Sequence, residues 1–141
     1  ADTVQVSLVP TTETVAPGET VTVDIALDAG TAAVYAAQAS VEDNGVSVNV
    51  SQGNYLTADG ASSFVTAERA NDSLGRVDYG ESRIGPLPTT GAGTLATLTV
   101  TIPTDVTIST VTLTLTDVVV VDETATPVAV ILVDTSLAVE S

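Results

Sequence analysis

Eighteen Asp and Glu side chains make up most of the reactive chemistry this chain carries. It has no His and no Cys, which excludes Ser-His-Asp and Cys-His catalysis and zinc sites built from those ligands. Carboxylates alone could act as acid and base, as in glycoside hydrolysis, but no spacing marks two of them as a facing pair. A sugar cleft also calls for aromatic platforms, and the chain has three Tyr, one Phe and no Trp. The sequence reads as that of a protein that is not an enzyme.

Carboxylates also bind calcium, and Glu42-Asp43-Asn44 and Asp122-Glu123 are the two clusters to consider. Neither has the spacing of a twelve-residue calcium loop. Both read as turns at a solvated edge, where Asp and Asn bond their own backbone, so no metal site is expected. Against the acids stand only Arg69, Arg76 and Arg83, seven apart. In strands that spacing has no helical meaning, and each arginine is expected to neutralise nearby carboxylates, an exposed pair being worth about 0–1 kcal/mol. Their confinement to two adjacent strands puts the one positive patch of the molecule there.

The net charge of −15 repels phosphate backbones and anionic membrane surfaces, so neither nucleic acid nor membrane is a partner. No apolar run approaches the roughly 20 residues of a membrane-spanning helix. No disulfide is possible. Asn49-Val50-Ser51 and Asn71-Asp72-Ser73 are sequons, which are frequent by chance in a chain this rich in Ser and Thr. The start at Ala1-Asp2-Thr3 suits a chain after removal of a leader and equally a boundary within a longer protein. At 141 residues the expectation is a single domain, 1–141.

The elements that must position these groups are strands. Val21, Val23, Ile25 and Leu27 alternate with Thr20, Thr22, Asp24 and Ala26 behind a Pro17-Gly18 turn, a period of two with one buried face. Similar runs follow at Thr3–Val9, Val34–Val41, Val46–Val50, Ser63–Ala70, Arg76–Ser82, Thr94–Ile102, Val111–Val121 and Val128–Val133, the last extending towards Val139. In the Thr94 run, Thr94, Ala96, Leu98, Val100 and Ile102 are the expected buried set. Asp59-Gly60 and Asn71–Gly75 read as turns, and Gly85–Gly91 is barred from a central strand by its two prolines. Nine short strands without a convincing helix predict an all-β, antiparallel sandwich.

Ala16-Pro17-Gly18-Glu19-Thr20-Val21-Thr22-Val23, the Tyr35–Val41 strand followed by Glu42-Asp43, the Gly75–Gly85 strand, Thr94–Val100 and Thr114-Leu115-Thr116-Asp117-Val118 occur in the order of a cohesin domain. The chain resembles that family, the module that docks dockerins, in a non-cellulosomal or archaeal-like variant. The resemblance implies a nine-stranded antiparallel β-sandwich with jelly-roll topology, extracellular or attached to the cell surface. It implies one flat sheet face, from the third, fifth, sixth and eighth strands, that binds a helical dockerin-containing protein. Calcium is then expected on the dockerin rather than here, with no cofactor, no small-molecule substrate and a monomeric state.

With Tyr35, Ala37, Ala39 and Val41 inward, Val34, Ala36, Gln38 and Ser40 are expected on that face. Val77 and Tyr79 inward leave Arg76, Asp78, Gly80 and Ser82 outside, with Arg83 at the strand exit. The fifth strand is ambiguous, because Phe64, Thr66 and Glu68 oppose Val65, Ala67 and Arg69 and each set mixes polar with apolar; Thr66 and Glu68 are taken as its face residues. Scaffold-type cohesins place Asn and Asp where Val34 and Ala36 stand, so a smoother, more apolar contact is expected. The alternatives are a structural or adhesive sandwich of a cell-surface protein and, third, a carbohydrate-binding module.

Overall fold

Wherever Val, Ile and Leu alternate with Thr, Ser and Asp, the computed structural model of this chain forms strand. It describes residues 3–57, 60, 62–71, 75–84, 87–105 and 107–140. The strands are β1 (Thr3–Pro10), β2 (Thr14–Val15), β3 (Thr20–Asp28), β4 (Ala36–Glu42), β5 (Ser47–Gln52), β6 (Ser63–Asn71), β7 (Arg76–Arg83), β8 (Ala92–Thr101), β9 (Thr110–Val121), β10 (Ala129–Val133) and β11 (Thr135–Val139). Among the described residues the only helical piece is a 3₁₀ turn at Tyr55–Thr57. Asp59 and Asp72–Leu74, of the two expected turns, lie outside the described residues, as do Gly85 and Pro86.

Two sheets face each other, in the orders β10-β1-β3-β8-β5 and β2-β11-β9-β4-β7-β6. The all-β sandwich is as expected, with two differences of detail. Strands number eleven because Thr14–Val15 pairs with β11 and because the last run breaks at Asp134 and changes sheet. The β1–β10 and β2–β11 pairs are parallel, where the chain's two ends close the sheets; the other pairs are antiparallel. Asp134 holds that crossing in place, its Oδ1 accepting from Leu115 N at 2.8 Å.

The inner faces meet in one aliphatic core: Val21, Val23, Ile25 and Leu27 from β3 against Ala37, Ala39 and Val41 from β4 and Val111, Leu113 and Leu115 from β9. Three one-residue irregularities interrupt the alternation. On β8, Ile25 opposes Ala96 and Ala26 opposes Thr94, so Leu95 is extra and both Leu95 and Ala96 are buried. The Thr94 set therefore holds from Ala96 to Ile102, and Leu95 joins the core beside it. On β6 the extra residue is Thr66, between Val65↔Glu81 and Ala67↔Gly80. On β9, Asp117 and Val118 together oppose Ala39, and Asp117 takes φ +49°. Such bulges re-aim side chains, and two of the three lie on the six-stranded sheet.

The acidic turns use their carboxylates on backbone. Asp43 Oδ1 accepts from Gly45 N and Val46 N. Asp122 Oδ1 accepts from the Thr124 hydroxyl and then from the N–H groups of Thr126 and Thr124, which together hold its carboxyl below the usual range. Among the described residues no three potential metal ligands come together.

Candidate partner-binding face

The outer side of β9-β4-β7-β6 is set by strand register. Reading across the four strands gives rows: Val121–Ala36–Ser82–Phe64, then Val119–Gln38–Gly80–Ala67, then Thr116–Ser40–Asp78–Arg69, then Thr114–Glu42–Arg76. The bulges keep the rows in step: without Thr66 on β6 and the Asp117-Val118 pair on β9, one end of each strand would turn its face residues inward. A row follows the last by two residues, about 6.7 Å, and strands lie about 4.8 Å apart, so the face measures roughly 20 by 14 Å.

The two halves differ. The first two rows, with the bulge residue Thr66, hold no charged side chain. They expose Phe64, the one Phe of the chain, to 54% and Val119 to 42%. The last two rows hold Glu42, Asp78, Arg69 and Arg76, and the bulge adds Asp117 beside them. Arg76 ties this half together. Its Nε donates to Asp78 Oδ1 at 2.9 Å, and its Nη2 to Asp117 Oδ2 at 2.6 Å and Ser40 Oγ at 3.0 Å; Nη1 reaches Glu42 Oε2 at 3.4 Å. Bonds to Asp117 and Asp78 raise the guanidinium pKa further above its ordinary value. The Ser40 hydroxyl, donating at 2.5 Å, and then Arg76 hold the Asp78 carboxyl below the usual range. Arg69 is looser, 4.0 Å from Asp78 Oδ2 with its side chain 75% exposed. Gln38 Nε2 donates to the Asp117 carbonyl at 3.3 Å across the β9 bulge. A shallow cleft of about 410 Å³ runs between Gln38, Thr66, Arg69, Asp78 and Val119 over Gly80.

Ala36, Gln38, Ser40, Thr66, Asp78, Gly80 and Ser82 all belong to this outer side. Three residues expected there do not. Val34 is fully buried and lies before β4, in an isolated bridge to Thr89; the strand starts only at Ala36, and the alternation does not carry back across Tyr35. Glu68 stands opposite the inward Tyr79, because the Thr66 bulge reverses the parity of β6; it is exposed only because β6 is an edge. Arg83 is inward and 4% exposed, its Nε donating to Leu87 O at 2.8 Å and Nη1 to Leu56 O at 2.9 Å.

The inner side of β7 carries a second polar cluster that hydrophobic patterning did not reveal. Glu81, 2% exposed, accepts from Tyr79 Oη at 2.7 Å, Gln52 Nε2 at 2.9 Å and the Ser63 hydroxyl. Burial, and after it the carboxylate of Glu81, push the Tyr79 pKa up. Strict parity from Val77 and Tyr79 points to Glu81 and Arg83, and these two side chains pin the β6 edge and the Leu56 and Leu87 segments to the sheet. Glu42, read only as a turn residue, was missed as a face residue, and so were those of β9, namely Asp117, Val119 and Val121 with Thr114 and Thr116. Their signal was the Thr-x-Thr alternation running into an aspartate and four valines.

Residues 4–139 match the model of the cohesin domain. The chain belongs to the cohesin domain family. As a cohesin domain it is a non-enzymatic protein-interaction module. None of the curated proteins matches it. Solved cohesins share its fold at low identity. A non-cellulosomal cohesin from the archaeon Archaeoglobus fulgidus has a TM-score of 0.72 at 16% identity, over 99% of this chain and 92% of that one. A type I cohesin–dockerin complex from Clostridium thermocellum gives 0.74 at 15%, over 99% and 95%. A type II cohesin–X-dockerin complex from Acetivibrio cellulolyticus gives 0.76 at 10%, over 97% and 99%. At these identities the likeness is one of fold.

Proposed function

We propose that this cohesin domain binds a dockerin-type protein through the outer side of β9-β4-β7-β6 and so assembles or attaches proteins outside the cell or on its surface. The observation that carries the reading is the uncharged half of the face. In a chain of net charge −15, two full rows of four strands carry no charge and expose Phe64 and Val119 around Gly80 and Ala36. Such a patch desolvates readily and lets a helix approach closely, as the core of a protein interface does. The domain acts as a monomer, without cofactor or small-molecule substrate, and any calcium belongs to the partner. Solved cohesins of the same fold occur in complexes with dockerins, which supports the choice of partner.

The test is calorimetric titration with a panel of calcium-loaded dockerins, repeated on Ala36→Arg. Binding by at least one dockerin is expected, and Ala36→Arg should weaken it about thirtyfold or more, the size of a lost hot-spot contact, with circular dichroism unchanged. Absence of binding across the panel, or unchanged affinity of a folded Ala36→Arg, refutes the reading. A structural or adhesive role is the second reading, favoured by β10, a sheet edge exposing Ile131, Leu132 and Val133.

A further inference from the structure

The geometry points to a partner helix that docks in one direction only, with its apolar half over Val119, Ala36 and Phe64 and a Lys or Arg over Glu42 and Asp117. This inference rests on the face being the docking surface proposed above. Its basis is the division of the face along the strand axis. The boundary falls between the Gln38 and Ser40 rows: no charge on one side, five charged side chains on the other. Each half is about 10 Å long, close to two turns of helix at 1.5 Å per residue. A helix of about 13 residues lying along the strands therefore meets two chemically distinct surfaces in succession.

Within the charged half the signs are ordered as well. Asp78 and Arg76 satisfy each other in the middle, with side chains only 31% and 29% exposed. Glu42 and Asp117 each give one oxygen to Arg76, at 3.4 and 2.6 Å, and with side chains 53% and 62% exposed present the rest of their carboxylates to solvent on the β4–β9 side, while Arg69 stands open on the β6 side. Reversing the helix would bury a partner cation against Val119 and Phe64 with no acceptor, and would set apolar side chains on carboxylates. Both penalties act on the reversed complex alone, which is how an interface selects one orientation. The whole chain's −15 adds a field that favours a cationic group at the open end.

This chain has no cysteine, so one nitroxide on a single cysteine of the partner reports without background. The probe is a calcium-loaded dockerin that binds in the panel above, labelled at one end of its contacting helix and then at the other, with the cohesin labelled with ¹⁵N. The expected result is that each label broadens amides far more strongly at one end of the face than at the other: Glu42 and Thr114 for one label, Phe64 and Val121 for the other. Glu42→Lys should weaken binding about tenfold at low ionic strength, with most of the loss recovered near 1 M salt. If one label broadens both ends equally, or Glu42→Lys leaves the affinity unchanged, single-direction docking is refuted while the face stands. If broadening falls on the β10-β1-β3-β8-β5 sheet instead, or no dockerin binds, the face itself is wrong and the inference falls with it.

Discussion

A methyl group added at Gly80 measures how tightly the face is drawn. Gly80 lies in the second row, outside the left-handed region, so alanine fits its backbone. A Cβ there would stand 2.6 Å from Thr66 Oγ1, 3.5 Å from Gln38 Cβ and 3.8 Å from Ala67 N. Ordinary contact begins near 3.4 Å, so only Thr66 is in the way, by 3.4 − 2.6 = 0.8 Å. The obstructing atom is a hydroxyl on the bulge residue of an edge strand, and it can move by turning χ1. Forcing a side chain about 30° off its rotamer costs about 0.5–1.5 kcal/mol. Replacing Gly by Ala also restricts the unfolded chain, which stabilises the fold by about 0.4–1 kcal/mol.

The two effects nearly cancel in Gly80→Ala, which is expected within about 1 kcal/mol of the parent. In a Thr66→Ala background the obstruction is gone and the same substitution should become stabilising by about 0.4–1 kcal/mol. Urea denaturation of the parent, both single variants and the double variant gives the coupling, expected at about 0.5–1.5 kcal/mol and favourable to the double. Additivity within about 0.3 kcal/mol would refute the contact. A loss above about 3 kcal/mol in Gly80→Ala alone would mean that backbone, not the Thr66 hydroxyl, closes the site, a size reserved for severe core or backbone damage.

Other consequences follow from the charges and the inner cluster. Glu81→Leu leaves the buried Tyr79 hydroxyl without its acceptor and should lose about 1–3 kcal/mol in urea denaturation; adding Tyr79→Phe removes the orphaned donor and should restore part of it, whereas a loss too small to measure would show that the cluster is not bonded as described. The melting temperature should rise from about 0.05 to about 1 M NaCl, because screening weakens the self-repulsion of fifteen net negative charges more than it weakens pairs made by three arginines; a flat or falling trend contradicts this. Asp78 has its folded pKa below its unfolded value of 3.8, so its bonds to Ser40 and Arg76 stabilise the fold fully above that pH and are lost as pH falls through the depressed value. The stability gap between parent and Asp78→Asn should accordingly be constant above about pH 5 and close below pH 3.8, and a gap that widens in acid would reverse the assignment.

How much of this was legible follows from parity. Wherever a strand keeps its period of two, the sequence alone places side chains on the right side: Ala37, Ala39 and Val41 inside, Ala36, Gln38 and Ser40 outside, and the same for Val77 and Tyr79 against Asp78, Gly80 and Ser82. It fails at single-residue insertions, which carry no hydrophobic signature. Thr66 is unremarkable in a chain full of threonine, yet it sends Arg69 to the face and Glu68 away from it. Leu95 looks like an outward residue by count and is buried by its bulge. Glu81 and Arg83 mark the opposite failure: the parity was correct, but polarity argued against burial. The converging donors of Tyr79, Gln52 and Ser63 on Glu81, and backbone acceptors at Leu56 and Leu87 for Arg83, help make their burial tolerable.

The β9 bulge shows why the irregular positions and the interaction surface coincide. A continuous β9 in register with β4 would put either Val119 or Thr116 on the inner side, since their partners Gln38 and Ser40 both face outward. The extra residue resolves this, at the expense of a left-handed backbone that Asp and Asn tolerate better than other side chains except glycine. With Asp at that position, the same insertion that keeps Val119 exposed delivers a carboxylate to Arg76 at 2.6 Å. One residue therefore sets the uncharged row, anchors the charged half and draws the line between them. Glycine would relax the backbone there and lose the anchor. Asparagine would keep the conformation without the charge. An aspartate meets both requirements, so the boundary of the face is written at Asp117 rather than at any of the residues the strand pattern singles out.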